Sequence, residues 1–161
     1  MAKIIVSLPQ QTLTLLDEQN REVGRYPVST SKNGAGELNG SNCTPRGLHV
    51  IRAKIGDGQP VNTVFVERSP TGEIYTPELG KIYPTRDWIL TRILWLSGCE
   101  VGFNRLGNVD TMRRCIYIHG CPDNVAMGKP GSIGCIRMHN SNLLELYDRV
   151  EIGTSVEIRD R

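Results

Sequence analysis

The chain has 161 residues, with 39% hydrophobic and 22% charged side chains and a formal net charge of +2. That length fits one domain, residues 1–161, with a core of its own, and the composition is that of an ordinary globular protein. The small net charge gives no electrostatic support to a nucleic-acid partner, and no apolar run is long enough to span a bilayer.

Lys3 to Leu8 alternates weakly, Gln11 to Leu16 follows the break at Pro9, and Glu22 to Thr30 is rich in Val, Tyr and Thr. All three read as strands, with a turn at Asp17-Glu18-Gln19-Asn20. Ser31 to Cys43 carries Gly34, Gly36, Gly40 and several asparagines and reads as a mobile loop. It is either a plain surface connection or a flap beside a site. Gly47 to Lys54 and Asn62 to Glu67 read as strands separated by Gly56-Asp57-Gly58, and Ser69-Pro70-Thr71-Gly72 as a further turn. Trp88 to Leu96 reads as a strand from its Ile, Trp and Thr content. Ser141 to Val150 has helical spacing, with Ser141 as N-cap, and Gly153 ends it before a last strand from Ser155 to Ile158.

The chemistry concentrates between Cys115 and His139. The run Cys115 to His119 is strand-like and ends on a histidine, and Gly120 and Pro122 break it. A loop holding Gly128, Pro130, Gly131 and Gly134 then brings in Cys135, sixteen positions after His119. An imidazole can take a thiol proton and hold the thiolate as an ion pair. Cys135 is therefore the candidate nucleophile and His119 the candidate base, although a free cysteine can equally be a buried small hydrophobe. A side chain at Gly134 would obstruct backbone N–H groups converging on an oxyanion. Ser132 suits a loop-shaping hydroxyl. Arg137 is a surface or structural arginine, or a guanidinium that organises the site or attracts a carboxylate. His139 reads as a structural or rim residue, not the base.

His119-Gly120 followed by Ser132-Ile133-Gly134-Cys135-Ile136-Arg137-Met138 resembles the signature of the L,D-transpeptidase catalytic domain family. Ile4-Ile5-Val6, Gln11-Thr12-Leu13, Tyr26 to Thr30 and Thr44-Pro45-Arg46-Gly47 resemble its earlier landmarks. The resemblance implies a mostly β fold with a short helix, a mixed β-sandwich of the α+β class. It implies a cysteine acylated by a murein stem peptide, a tetrapeptide ending in D-alanine, and inhibition by carbapenem-type compounds. It also implies that the Gly120 carbonyl orients His119, so no carboxylate is required and Asp123 need not be a triad member. The chain departs from the family at Ile133, where histidine is frequent, and at Cys121, where a small residue such as threonine is common. Oxidation of Cys121 so near the site could affect activity.

Two rival readings remain. Cys115 with His119, and Cys135 with His139, could bind zinc if both pairs were helical, with Cys121 between them. A strand of four residues covers about 13 Å, too far for one ion, so no metal and no cofactor are expected. A non-catalytic murein-binding module would fit better if Cys135 or His119 were missing. Five cysteines, an odd number, suit a reducing compartment without structural disulfides, and Ile4 to Leu8 is too short for a secretion signal. The expected location is the cytoplasm, or the periplasm if a leader has been removed. In the cytoplasm water is the expected acyl acceptor, making an L,D-carboxypeptidase of wall recycling. L,D-transpeptidation, forming cross-links or exchanging D-amino acids, is the alternative.

Overall fold

The computed structural model describes residues 1–161. Its strands are β1 (Lys3–Ser7), β2 (Thr12–Leu16), β3 (Glu22–Pro27), β4 (Gly47–Ile55), β5 (Thr63–Val66), β6 (Ser69–Ile74), β7 (Ile89–Gly98), β8 (Tyr117–Gly120), β9 (Ile136–Met138) and β10 (Ser155–Arg159). Helix α1 (Pro77–Ile82) precedes β7, and α2 (Asn140–Arg149) lies between β9 and β10.

Period-two patterning explains the first half. Ile4 and Val6 of β1, Leu13 and Leu15 of β2, and Val156 and Ile158 of β10 all point inward, with their neighbours facing out. The strand order runs β3-β2-β1-β10-β4-β7, with β8 and the β5–β6 hairpin both pairing with β7, and β9 pairing with β8. The pairs β1–β10 and β8–β9 are parallel. Beyond β3, Ser29 exchanges both backbone hydrogen bonds with Arg137 of β9, each at 2.9 Å. The expected mostly β, mixed-sheet fold is what the chain forms, with its two edges joined through Ser29 and Arg137.

Twenty buried apolar residues fill the interior, drawn from β1, β2, β3, β4, β7, β8, β9, β10 and α2 and from the adjoining positions Leu8, Val28, Ile116 and Val150. Helix α2 contributes Leu143, Leu146 and Tyr147 from its inward stripe. Its C-terminus is held by Lys54, whose Nζ donates to Tyr147 O at 2.6 Å and Val150 O at 2.7 Å. A cation there satisfies the last carbonyls and opposes the helix dipole.

Four sequence expectations are corrected. Residues 69–72 are not a turn. The reversal sits one step earlier at Glu67-Arg68, both at positive φ (48° and 66°), and Pro70 is tolerated because β6 is an edge strand. The N-cap of α2 is His139, without a side-chain bond, and not Ser141. Cys115 lies outside the strand, in a turn at φ 57°. Helix α1 was not expected from the sequence. It is capped by Thr76, whose hydroxyl accepts from Leu79 N–H at 3.2 Å, and Pro77 opens its first turn.

Candidate active site

His119 lies near the end of β8, and Cys135 immediately precedes β9, the parallel neighbour in which Ile136 pairs with Ile118 and Arg137 with His119. This pairing puts Cys135, sixteen residues after His119 in the chain, across from Tyr117, two positions before His119 on the neighbouring strand. His119 and Tyr117 share a face of β8. Tyr117, Ile93 and Phe65 form a small apolar cluster there, against which Cys115 and Cys135 pack.

His119 is buried, and its Nδ1 lies 2.6 Å from the Gly120 carbonyl. A carbonyl only accepts, so Nδ1 carries the proton and Nε2 keeps its lone pair. Burial pushes the His119 pKa below its ordinary value. The Asp87 carboxylate and the Gly120 carbonyl pull it up, and the Arg137 guanidinium pushes it down. The ring is therefore neutral at pH 7.

The Cys135 thiol is half-buried. Its Sγ donates to Cys115 O at 3.3 Å and accepts from the Tyr117 N–H at 3.3 Å. Burial pushes its pKa up to about 12, against the lowering effect of the Tyr117 N–H and of the Arg114 charge. Burial thus works against the expected ion pair, because desolvation disfavours charge on both the thiol and the imidazole.

Gly134 sits at φ 132°, and a Cβ there would lie 3.2 Å from Ile116 Cδ1 and 3.3 Å from Cys43 O. Packing against the 31–43 loop and backbone conformation therefore require glycine there. The Gly134 N–H is engaged by Ser132 Oγ at 3.2 Å, while the same hydroxyl donates to Cys135 O at 2.6 Å. Ser132 thus folds the turn that presents the thiol. The Cys135 N–H makes no bond among the turn and loop hydrogen bonds. Arg137 donates to Ser29 Oγ at 3.2 Å, has no carboxylate within ion-pair distance, and leaves its buried Nε without a partner. His139 Nε2 is 3.4 Å from Val125 O, and the residue is half-buried. Cys121 is buried, donates to Met138 O at 3.4 Å and is pushed up to about 12 by burial. Its concern as an oxidation site is corrected: it is shielded and protonated.

Three neighbours of the site were missed by sequence reasoning. Arg114 ties the 31–43 loop to the turn before β8 through Cys43 O (2.6 Å), Glu37 O (3.2 Å) and Gly36 O (3.3 Å). That loop lies against Gly134, where a flap was the functional reading. Asp87, in the segment between α1 and β7, supplies the negative charge felt by both His119 and Cys135. Asn140 is buried behind Gly120. No local pattern marks the first two, whereas an asparagine at the very start of a helix is a visible signal. Next to the loop that follows His119, a groove of about 640 Å³ is lined by Tyr75, Trp88, Pro122, Asp123 and Asn124 among others. No helix is long and apolar enough to cross a membrane.

The model of one family, YkuD, described as the L,D-transpeptidase catalytic domain, matches residues 2–158. YqjB of Bacillus subtilis (strain 168), named as an L,D-transpeptidase, is 40% identical over 60 residues, 37% of this chain and 32% of that protein. L,D-transpeptidase 3 from Mycobacterium tuberculosis, solved with a faropenem-derived adduct, superposes with a TM-score of 0.61 at 16% identity, over 99% of this chain and 60% of that one. LdtMt1, an LD transpeptidase solved in complex with imipenem, gives 0.59 at 19%, over 98% and 58%. The chain thus spans about a third of the curated relative and under two thirds of the solved structures. At these identities the two structures establish the mostly β, mixed-sheet fold.

Proposed function

The chain belongs to the L,D-transpeptidase catalytic domain family, and from that premise we propose a cysteine enzyme that acylates Cys135 with a murein stem peptide and releases the acyl group to water. It is an L,D-carboxypeptidase removing the terminal D-alanine from soluble tetrapeptides during wall recycling. The observation that carries the catalytic part is the 2.6 Å contact between His119 Nδ1 and Gly120 O, on the strand beside the one that Cys135 enters.

Cys135 Sγ attacks the carbonyl between the L-centre of the third-position diamino acid and the terminal D-alanine. As the C–S bond forms, the thiol proton passes to His119 Nε2, so no free thiolate has to persist in a site that disfavours it. The oxyanion takes the Cys135 N–H, with the Gly134 N–H joining if the Ser132 hydroxyl yields it. His119 then hands the proton to the leaving amine. Arg137, with a free Nε and no carboxylate partner, offers its charge to the D-alanine carboxylate. Water enters and gives a proton to His119 as its oxygen displaces Cys135 Sγ, and His119 returns that proton to the leaving sulfur.

The odd cysteine count supports a reducing compartment, where released muropeptides and water are the reactants. Transpeptidation is the second reading. The groove of about 640 Å³ beside the Pro122–Asn124 loop favours it, with room for an acceptor stem and an Asp123 carboxylate to attract its amine. Incubation with a disaccharide tetrapeptide, with and without excess D-amino acid or a second muropeptide, separates the two. Tripeptide plus free D-alanine as the main products supports hydrolysis, and mainly dimer or exchanged tetrapeptide overturns it. A carbapenem adduct that persists in Cys135→Ala removes Cys135 from the mechanism altogether.

A further inference from the structure

Behind the His119 end of β8 lies a buried polar cluster that the reaction does not consume. Asn140, the first residue of α2, is 3% exposed. Its Oδ1 accepts from Thr91 Oγ1 at 2.6 Å. Its Nδ2 faces Cys121 O and Asn62 Oδ1, each at 3.0 Å, and Asp123 Oδ1 at 3.2 Å. An amide nitrogen has two hydrogens, so three acceptors share two donors and the amide is fully engaged.

Thr91 is fully buried and sits at φ 78°. A β-branched residue in that region is an outlier that persists only where its surroundings over-determine it, and such outliers cluster at functional sites. The excursion falls in a bulge of β7, where pairing with β8 jumps from Leu90–Gly120 to Ile93–His119. It aims the Thr91 hydroxyl at Asn140 and lets it accept the Asn62 N–H at 3.0 Å. Gly120 is pressed against this cluster: a Cβ there would collide with Asn140 Oδ1 and lie 2.7 Å from Leu90 O. Asn140 therefore grips the chain on both sides of Gly120, at the β7 bulge through Thr91 and at the Cys121 carbonyl.

The Gly120 carbonyl is the group that holds His119 Nδ1. We propose that Asn140, with Thr91 as its hydroxyl partner, is a positioning residue that fixes the Gly120 carbonyl and so the His119 tautomer in which Nε2 is free to accept the thiol proton. The functional consequence rests on the reading of His119 as the base. The tautomer itself does not.

The experiment takes the full chain and the variants Asn140→Ala, Thr91→Val, Thr91→Ser and His119→Gln. Two quantities are read: the rate of Cys135 acylation by a carbapenem, followed by intact mass, and the ¹⁵N imidazole shifts of His119. Asn140→Ala lowers the saturating acylation rate roughly 10–100-fold, the usual cost of losing the partner that orients a catalytic ligand, with half-saturation unchanged. It also moves the His119 shifts from the Nδ1–H form towards a tautomer mixture. Thr91→Val does the same more weakly, and Thr91→Ser restores wild-type behaviour by restoring the hydroxyl. Folded Asn140→Ala with an unmoved tautomer and unmoved rate overturns the proposal, as does a change confined to half-saturation. If Asn140→Ala does not fold, the Thr91→Val and Thr91→Ser pair decides on the same terms. Wild-type acylation in His119→Gln would remove His119 as the base, while the imidazole shifts of the other variants still judge the Asn140 clamp.

Discussion

Two regions of the curled sheet are built differently. Around β1, five residues pair in unbroken register with β10 and five with β2, and the inward positions belong to the twenty-residue apolar core. Around β7 and β8 the ladder is bulged, Thr91, Cys115 and Gly134 take positive φ, and His119, Ser132 and Asn140 are buried polar groups. The apolar clusters on this face have only three buried residues each. The first region is specified by pattern, which tolerates exchange of one aliphatic for another. The second is specified by individual hydrogen bonds, which do not. Departures from local rules gather where a sequence holds chemistry in place.

The comparison is broken most severely by one pair of substitutions. Cys135→Ala should reduce turnover roughly 10⁴-fold or more, since the nucleophile has no substitute, while leaving the thermal midpoint within a few degrees. Leu13→Ala, in the fully buried inner row of β2, should do the reverse. It should cost about 2–5 kcal/mol of stability, measured by urea unfolding, with kcat per folded molecule unchanged. If Leu13→Ala lowers kcat as well, the two regions are coupled.

A smaller effect separates structural from catalytic imidazoles. His49 of β4 is wholly buried between Gly47 O (3.1 Å) and Thr111 Oγ1 (3.0 Å), and burial pushes its pKa down from 6.5 to about 4. Below pH 6.5 the unfolded chain binds a proton that the folded one refuses. Stability should therefore fall by ~3 kcal/mol between pH 6.5 and about 4 on this account, then level off. His49→Gln should flatten that slope in urea titrations and leave the acid limb of activity where it was.

The smallest effect sharpens the chemical end. Asp87 raises the pKa of His119 and Arg137 lowers it. Asp87→Asn should move the acid limb of carbapenem acylation to lower pH, and Arg137→Met to higher pH. Limbs that stay put in both variants would mean that His119 does not set the profile.

How much of this was legible follows the same division. The β1, β2 and β10 strands stand out because alternation within five residues needs no distant information. Cys135 and His119 stand out because thiol, imidazole and glycines at that spacing have few other uses. The β5–β6 reversal was misplaced because Ser69-Pro70-Thr71-Gly72 carries stronger turn residues than Glu67-Arg68, and only edge-strand status lets Pro70 pair. Helix α1 was overlooked although Thr76-Pro77-Glu78 is a start signal, because six residues give too little periodicity to follow. The burial that disfavours charge on both the thiol and the imidazole was not legible at all. It depends on how much protein surrounds each group, which no local pattern encodes.

The parallel pairing of β1 with β10, Lys3 to Ser155 through Ser7 to Arg159, has a mechanical meaning. The first strand enters the ladder at the end from which the last one starts, so tension applied between the two ends of the domain runs along both strands in opposite senses. Five rungs are then loaded together in shear, where an antiparallel terminal pair would be peeled open one rung at a time. The fold is thereby set to resist stretching along this seam, which lies in the middle of the strand order, away from β8 and β9.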